Sequence, residues 1–325
     1  MRKSLIDVIT QLNPSVLNLN KMNLDSFKKL GIGEGNLNYL FNISGKKFIC
    51  RININKNNPT KTRREYAALK SIEKARIAPM AYYLHNANKY FPNDFVILQF
   101  IEGKSLRMKK RSYTQNQIKQ IAVILAKLHN IKATKQSKSE YTYKQGLRQA
   151  KVYLDVINKD TKGRFRPQFT LIHKKIREFI PKKEVHMFGM IHSDVCPQNI
   201  VESNNELKLI DWESLKYSDP AKDISTVMID MGLKNENLNL FLDEYHKIRK
   251  DESILDRARI YAVLMTYHYF LWELVRSYEI MRKELPKEYL VKTSAKRHFN
   301  EARHQFKNLK KLIKLPEVKI DKVFK

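Results

Sequence analysis

Residues 191–213 constrain this chain more than any other stretch. Two apolar runs, IHSDVCPQNI and LKLIDWE, flank a short polar turn at residues 202–206, a pattern that is typical of a β-hairpin. Both runs also carry polar side chains that a hydrophobic core does not require. These are His192, Asp194 and Asn199 on the first loop and Asp211 after the second strand.

The spacing of these residues suits phosphoryl transfer. Moving a γ-phosphoryl group from ATP to a hydroxyl needs a carboxylate that orients the acceptor and takes its proton, together with oxygen ligands for Mg²⁺. Asp194 is predicted to be that base. Asn199 lies beyond Pro197, which restrains the backbone, so its amide oxygen can face the metal. Asp211 is predicted to supply a charged ligand from the end of the strand. The alternative interpretation is that Asp194, Asn199 and Asp211 are ordinary turn residues.

These motifs resemble the catalytic core of a known family. The matching residues are His192-Ser193-Asp194 with Asn199, followed by Ile210-Asp211-Trp212-Glu213. They are similar to the core of the aminoglycoside phosphotransferase and choline kinase superfamily, the small-molecule relatives of protein kinases. The resemblance covers most of the chain. It implies an α+β, bilobal, protein-kinase-like fold, with an antiparallel sheet plus a helix in the N-lobe and a mainly helical C-lobe.

Protein kinases themselves match less well. They carry an Arg between the His and the Asp, and a Gly after the metal-binding Asp-Phe, where this chain has Ser193 and Glu213. Only a short polar connection separates Glu213 from Asp223, which leaves little room for a loop that holds a peptide. The resemblance therefore favours a small-molecule acceptor.

Residues 27–54 show an alternation of β-branched and aromatic residues that glycines interrupt. This pattern predicts two antiparallel strands around a glycine-rich turn, and such a turn lets backbone N–H groups approach phosphates closely. Gly33 and Gly35, with Asn36 and Asn38, resemble the phosphate-covering loop of the superfamily. A plain hairpin turn is the alternative interpretation.

Two charged residues complete the implied nucleotide site. Arg51 takes the position at which the superfamily places a cation for the α and β phosphates, and an arginine fork can hold phosphate oxygens in a bidentate way. Glu65 lies in a helical run that opens at Pro59-Thr60 and closes at Pro79, and it matches the glutamate that pairs with this cation. The alternatives are a solvent-facing Arg51 and a surface Glu65 that balances neighbouring arginines.

The apolar strand at residues 95–101 resembles the superfamily hinge. The resemblance implies that backbone groups from Gln99 to Ile101 read the adenine edge. The expected division is an N-lobe at residues 1–101, a hinge near 99–103 and a C-lobe at 102–325.

Helical periodicity predicts most of the C-lobe. The predicted helices cover 114–129, 256–282 and a basic amphipathic run at 297–315, with two more inside 138–180 to which no role is assigned. Asp223 follows a helix start at Asp219-Pro220 and matches a superfamily aspartate that binds the catalytic-loop backbone. Asp223 and His192 are therefore expected to support that loop. A helix carboxylate without such a partner is the alternative.

The acceptor site is expected partly on the helix at 256–282, because aromatic faces with a carboxylate suit an ammonium through cation–π attraction. The candidates are Glu213, Tyr269, Trp272 and Glu273. Glu213 is also expected to assist the metal or its waters. Aromatic residues on a central helix are equally typical of a hydrophobic core, which is the alternative interpretation.

Composition bounds the location of the protein. With 325 residues, 42% of them hydrophobic, the chain can bury one large or two modest cores. The two cysteines, Cys50 and Cys196, give no disulfide framework and favour a reducing, cytoplasmic location. The longest apolar stretch, residues 261–275, is interrupted by His268 and Glu273, so no transmembrane segment is predicted.

The net charge of +29 attracts polyanions such as ATP, nucleic acid and anionic lipid surfaces. Lysines that simply solvate the surface are the alternative explanation. No nucleic-acid-reading motif accompanies the charge, so no specific nucleic-acid partner is predicted. The basic helix at 297–315 is expected to dock on the C-lobe, with peripheral contact to an anionic surface as the alternative.

Together these features predict an enzyme that uses ATP and Mg²⁺ to phosphorylate a hydroxyl group of a small molecule. Arg51, the Asp-Trp-Glu triplet and the aromatic helix favour an amino alcohol such as choline or ethanolamine. Aminoglycosides and other sugars are the alternative acceptors. A kinase-fold structural or binding protein without chemistry is the alternative of another class, against which the intact base and metal ligands argue.

Overall fold

The computed structural model describes most of the chain. The described residues are 2–32, 36–54, 58–106, 113–132, 142–181, 187–285, 290, 293–315, 317 and 321–324. Gly33 and Gly35, the glycines of the predicted phosphate-covering loop, lie outside the described residues.

The residues group into two compact units. The first comprises Met1–Leu128 and Asp194–Leu215, and the second comprises His129–Ser193 and Lys216–Lys325. The hairpin that carries the candidate catalytic residues therefore groups with the amino-terminal part of the chain. The lobe boundary after residue 101 stays a prediction.

The first half of the chain contains both strands and helices, and helices dominate the second half. The strands are β1 (Leu24–Ile32), β2 (Asn36–Ile43), β3 (Lys46–Asn53), β4 (Ala81–His85), β5 (Phe95–Gln99), β6 (Lys104–Ser105), β7 (Gly189–Ile191), β8 (Ile200–Ser203), β9 (Glu206–Leu209) and β10 (Lys216–Ser218). The helices are α1 (Arg2–Thr10), α2 (Lys61–Ile72), α3 (Gln115–His129), α4 (Tyr143–Asp160), α5 (Arg166–Phe179), α6 (Ala221–Asp230), α7 (Asn235–His246), α8 (Ile254–Met281) and α9 (Ala295–Leu312).

A five-stranded antiparallel sheet, in the order β1-β2-β3-β5-β4, forms the centre of the first unit. Ser44 and Gly45 join β2 to β3 with φ angles of 51° and 77°, the left-handed conformations that a two-residue hairpin loop needs. Alternate side chains of these strands, such as Phe41 and Phe48, are buried in one core with Ile9 of α1. The sheet and its helices confirm the predicted α+β class.

The predicted hairpin after the catalytic loop is also confirmed. β8 pairs antiparallel with β9, and Asn204 and Asn205 join them with φ angles of 49° and 63°, values that asparagine tolerates better than most residues. β6 adds a third strand beside β8. Gly103 precedes β6 and leaves no room for a side chain, because a Cβ there would lie 2.1 Å from the carbonyl oxygen of Glu202.

The second unit is mainly helical. α8 lies at its centre and packs against α4, α5, α6 and α9. Because neighbours surround this helix, its buried residues occur on several sides and include Tyr261, Tyr267 and Phe270. β7 and β10 form a short antiparallel ladder in which Ile191 stands opposite Lys216.

The predicted helices form, and one ends earlier than expected. The three long periodic patterns correspond to α3, α8 and α9, and the basic region contains α4 and α5. α2 ends at Ile72 instead of continuing toward Pro79, because a 3₁₀ turn follows and Arg76 adopts a φ of 56°. A residue in the left-handed region ends a helix.

No helix in the described parts of the chain is long and apolar enough to cross a membrane. α8 has 28 residues, but Arg257, His268 and Glu273 interrupt its apolar sequence.

Candidate active site

The loop between β7 and β8 carries the predicted base, Asp194. It ends in a 3₁₀ turn, Pro197–Asn199. The Asn199 side chain folds back, and its Nδ2 donates to the Asp194 carbonyl oxygen at 3.0 Å and to the carboxylate oxygen Oδ2 at 2.9 Å. Since the amide nitrogen is committed to Asp194, Asn199 Oδ1 is the atom that would face a metal ion.

Asp211 follows β9 and lies next to that loop. Ile210 N donates to the Asn199 carbonyl oxygen at 2.9 Å, which brings the two predicted metal ligands into neighbouring positions. Asp211 has a φ of 69°, a conformation that is costly for a residue with a Cβ and that clusters at functional sites. The buried Trp212 fixes the turn that follows, because its Nε1 donates to the Leu209 carbonyl oxygen at 2.8 Å.

Arg51 on β3 binds two carboxylates at once. Its Nη1 donates to Glu65 Oε1 at 2.7 Å and to Asp211 Oδ1 at 2.8 Å. Glu65 lies buried on α2, so the expected pair of cation and glutamate is formed. The contact with Asp211 links the sheet to the end of β9. Arg51 Nε is buried and has no hydrogen-bond partner within the described residues, which fits a site for phosphate oxygens.

Burial and crowding of charge shift the pKa values in this cluster. Burial raises the pKa of Glu65 to about 7; Arg51 lowers it, and the charges of Asp211 and Glu213 raise it again. Burial alone would lower the pKa of Arg51, but Glu65 and Asp211 outweigh burial and hold that pKa above its ordinary value. A divalent cation beside Asp211 would relieve the repulsion among these carboxyl groups.

Glu213 has two partners that sequence reasoning missed. Lys61 Nζ, at the start of α2, lies 2.7 Å from Glu213 Oε2, and Asn36 Nδ2, at the start of β2, donates to the same oxygen at 3.1 Å. This carboxylate therefore ties the end of the hairpin to α2 and β2. Its role toward the acceptor or the waters of the metal stays a prediction.

Asp223 on α6 binds the backbone that leads to Asp194. Its Oδ2 accepts from His192 N at 2.7 Å, and its Oδ1 accepts from Ser193 N at 2.8 Å. His129 Nε2 lies 3.2 Å from Oδ2. Burial alone would raise the pKa of Asp223, but the hydrogen bond with His129 and the nearby His192 hold it below its ordinary value. These contacts are the ones that the expected supporting role requires.

A buried arginine, Arg257 on α8, holds the start of α6. Its guanidinium donates to both oxygens of Asp219, at 2.9 and 3.0 Å, and to both oxygens of Asp251, at 3.0 and 2.8 Å. Asp219 Oδ1 also accepts from Ala221 N at 2.9 Å. Sequence reasoning assigned Asp219 to a helix start and missed Arg257, because the sequence of α8 does not show which of its arginines is buried or what that arginine binds.

The expected adenine-binding segment lies where the chain leaves the sheet. Gln99 is the last residue of β5, and Ile101 lies two residues further along the chain. A cavity of about 470 Å³ lies beside this segment, lined by residues 99–102 and by the β8–β9 hairpin. Its use by a nucleotide stays a prediction.

The candidate acceptor residues on α8 have different neighbours. His298 Nδ1 on α9 lies 2.5 Å from Glu273 Oε2, and the His298 ring meets Trp272 edge to face at 5.9 Å between centroids. The guanidinium of Arg276 lies 5.1 Å from the Trp272 ring centroid. Tyr269 Oη instead lies 3.5 Å from a carboxylate oxygen on α6. Tyr269 therefore contacts α6, whereas Trp272 and Glu273 contact α9, and the acceptor roles of the three residues stay predictions.

The oxygen atoms near the catalytic loop fit ATP and a hard divalent cation. Within the described ranges no three His, Cys, Asp or Glu side chains converge on a metal site. The predicted ligands are one amide and one carboxylate, Asn199 and Asp211. Mg²⁺ prefers oxygen ligands and takes the rest of its shell from waters and phosphates. On β2, Asn38 stands opposite Arg51, and its Oδ1 is buried without a hydrogen-bond partner within the described residues.

A sheet cation fixed by a helix glutamate, near a loop that offers a carboxylate, is the arrangement of a kinase-like phosphotransferase for small molecules. The chain belongs to the phosphotransferase enzyme family, whose model matches residues 26–261. This membership confirms the resemblance that the sequence motifs indicated.

Individual relatives are distant. The chain is 24% identical to protein LicA of Haemophilus influenzae over 267 residues, which cover 77% of this chain and 73% of LicA. The crystal structure of choline kinase LicA from Streptococcus pneumoniae superposes with a TM-score of 0.61 at 18% identity, covering 94% of this chain and 99% of that one. The ADP-bound aminoglycoside phosphotransferase APH(2'')-Ib gives 0.63 at 16%, covering 93% and 100%. At these identities the structures establish a shared fold and not a shared substrate.

Proposed function

We propose that the protein transfers the γ-phosphoryl group of ATP, with Mg²⁺, to a hydroxyl group of an amino alcohol such as choline or ethanolamine. The observation that carries the phosphoryl-transfer part is the arrangement of Asp194, Asn199, Asp211 and Arg51 around one loop. The likeness to a protein named choline kinase LicA supports the amino alcohol.

Each side chain has one task in this proposal. Asp194 orients the acceptor hydroxyl and accepts its proton as the oxygen attacks the γ-phosphorus and the bond to the β-phosphate oxygen breaks, with ADP as the leaving group. The Asn199 amide holds the Asp194 carboxylate in place. Arg51 binds phosphate oxygens and Glu65 positions Arg51. Asn199 Oδ1 and Asp211 Oδ2 would hold Mg²⁺, since Asp211 Oδ1 faces Arg51. The bound ion supplies positive charge that offsets the charge of the phosphates in the transition state.

Replacing the base tests the reaction. We expect Asp194→Ala to lower kcat by about 100-fold or more, because general-base catalysis contributes at least that much, while ATP binding by calorimetry changes little. Asp155→Ala, at an exposed position on α4, is the matched control and should keep full turnover. Unchanged turnover in Asp194→Ala would remove the base assignment.

Replacing the predicted metal ligand Asp211 should weaken Mg-ATP binding as well as lower turnover. We expect Asp211→Ala to weaken binding of Mg-ATP about tenfold or more, as loss of a metal-site group does, and to affect ATP without Mg²⁺ less. Calorimetry with and without Mg²⁺ measures this difference, and Asp243→Ala on α7, which is exposed, serves as the control. An equal loss of ATP affinity with and without Mg²⁺ would mean that Asp211 stabilises the protein framework and does not bind the metal.

The acceptor is tested by a panel. ADP release would be measured with amino alcohols, sugars and aminoglycosides at equal concentration. Aminoglycosides and sugars are the second candidate, and the likeness to APH(2'')-Ib favours keeping them in the panel. The charge of +29 disfavours polycationic antibiotics. Bound nucleotide without ADP release for any acceptor would point to a kinase-fold binding protein.

A further inference from the structure

One surface of the second unit has no part in the proposed reaction. It consists of Leu171, Lys174 and Lys175 on α5 with Lys314 and Leu315, which follow α9, and these residues line a cavity of about 320 Å³ together with Glu178. We propose that this α5–α9 surface docks on an anionic lipid bilayer. The proposal goes beyond the phosphotransferase activity and does not depend on it.

The charge of the α5–α9 surface is complementary to anionic headgroups. Lys174, Lys175 and Lys314 are exposed, and the last turn of α9 adds Lys310 and Lys311. Among the residues that line the cavity Glu178 is the acidic one, and its Oε2 lies 3.4 Å from Lys175 Nζ with both side chains about half exposed. An exposed pair of this kind contributes little, so it can open when an anionic surface approaches.

Exposed apolar side chains distinguish a bilayer from other anionic partners. Leu171 is 43% exposed beside the three lysines, and Leu312, at the end of α9, is 45% exposed. Both helices already bury their core-facing residues, such as Ile172 and Leu309, so the exposed leucines are surplus to the core. The boundary between headgroups and acyl chains accepts basic and apolar side chains together, whereas an acidic polymer offers only charge.

Removing the lysines tests the electrostatic part. Co-sedimentation of the full-length protein would be measured with vesicles of phosphatidylcholine and with vesicles that also contain phosphatidylglycerol. Each lysine near an anionic bilayer contributes roughly a fivefold gain in binding. We therefore expect the triple variant Lys174→Gln, Lys175→Gln, Lys314→Gln to bind the phosphatidylglycerol vesicles about 100-fold more weakly.

A matched variant separates a local site from the overall charge. Lys28→Gln, Lys29→Gln, Lys74→Gln removes the same charge from exposed positions of the first unit and should keep wild-type vesicle binding. Equal loss in both triple variants, or equal binding to the two kinds of vesicle, would overturn the proposal. Circular dichroism and thermal unfolding check that every variant is folded.

The apolar part has its own pair of variants. We expect Leu171→Ser to weaken vesicle binding several-fold, because burying a leucine side chain contributes to membrane affinity. Leu30→Ser, on β1, changes a leucine of similar exposure, 47%, and should have no effect. Tighter binding to duplex DNA or polyglutamate, with the same dependence on the three lysines and none on Leu171, would make an acidic polymer the partner and end the membrane proposal.

Discussion

Glu65 and Asp211 both accept hydrogen bonds from one guanidinium nitrogen of Arg51. Because Glu65 is buried, its carboxyl group holds its proton to a higher pH than a carboxyl group in water does, and its pKa is raised to about 7. The protonation of this one residue therefore depends on the residues that would meet the phosphates and the metal.

The raised pKa gives stability a defined pH dependence. Between pH 4.5 and about 7 the unfolded chain has lost the Glu65 proton and the folded chain retains it. The folded state then binds more protons, so the free energy of unfolding falls as the pH rises through this window. We expect this fall to reach roughly 3 kcal/mol and to be absent in Glu65→Gln, which cannot ionise. Urea unfolding at several pH values measures it.

Other groups titrate in the same pH range, so the contribution of Glu65 to stability is obtained as a difference between two proteins. The quantity is the free energy of unfolding of the wild type minus that of Glu65→Gln at each pH. Glu73→Gln, at an exposed position after α2, should keep the wild-type profile. A difference that stays constant from acid to neutral pH would show that Glu65 ionises normally in the folded protein.

Residues that a sequence motif places could be predicted, and residues placed by distant contacts could not. Arg51 and Glu65 were paired through the family resemblance, and the structure joins them at 2.7 Å. The contacts of Glu213 with Lys61 and Asn36 were missed. Charge pairs between residues far apart in sequence leave no local pattern, so only the folded chain reveals them.

The pairing of strand β6 with the β8–β9 hairpin requires a close approach of two backbones. Gly103 lies directly against Glu202, the partner of Lys104 across the β6–β8 ladder. We expect Gly103→Ala to destabilise the protein by about 1–3 kcal/mol, because its Cβ would force apart two backbones that cannot give way as a flexible side chain can. Chemical denaturation measures the loss.

A neighbouring substitution provides the control for that change. Ser105→Ala alters an exposed side chain on the same short strand, so its effect should stay within about 0.5 kcal/mol. If Gly103→Ala proves equally harmless, β6 is free to move away from β8 and the ladder contributes little to stability.

Elements with a strong period or turn signal were predicted well, but the end of α2 was not. The Asn204-Asn205 turn and the long helix α8 follow from local sequence. The end of α2 at Ile72 does not, because its cause is the left-handed backbone at Arg76. Glycine or asparagine usually takes such a left-handed position, so an arginine there does not indicate the end of a helix.

The excess of positive charge opposes a compact fold. The chain carries 62 Lys and Arg against 33 Asp and Glu, which gives +29, and like charges repel more strongly in the compact state. We expect the thermal unfolding midpoint to rise by a few degrees as NaCl increases from about 20 to about 300 mM, since salt shortens the range of repulsion.

Two salts separate screening from specific ion binding. KCl should produce the same rise as NaCl at equal ionic strength. A midpoint that falls with both salts would mean that attractive ion pairs, such as Arg63 with Asp94, outweigh the excess of positive charge.

The order of elements along the chain could be read from sequence. The lobe boundary after residue 101 stays a prediction, and contacts in the folded chain group residues Asp194–Leu215 with the amino-terminal part. The cause is pairing of β8 with β6 and of Arg51 with Asp211, both of which join residues far apart in sequence.

Arg257 links α6 to α8, two helices that carry neither the predicted base nor a predicted metal ligand. One guanidinium binds Asp219, just before α6, and Asp251, just before α8, and therefore ties the starts of these two helices together. α6 carries Asp223, whose carboxylate accepts hydrogen bonds from the backbone N–H groups of His192 and Ser193. A substitution that displaces the amino-terminal end of α8 would therefore loosen the backbone that precedes Asp194. Its effect on the reaction would be a less precise alignment of the base, although the substituted residue lies far from the reacting atoms.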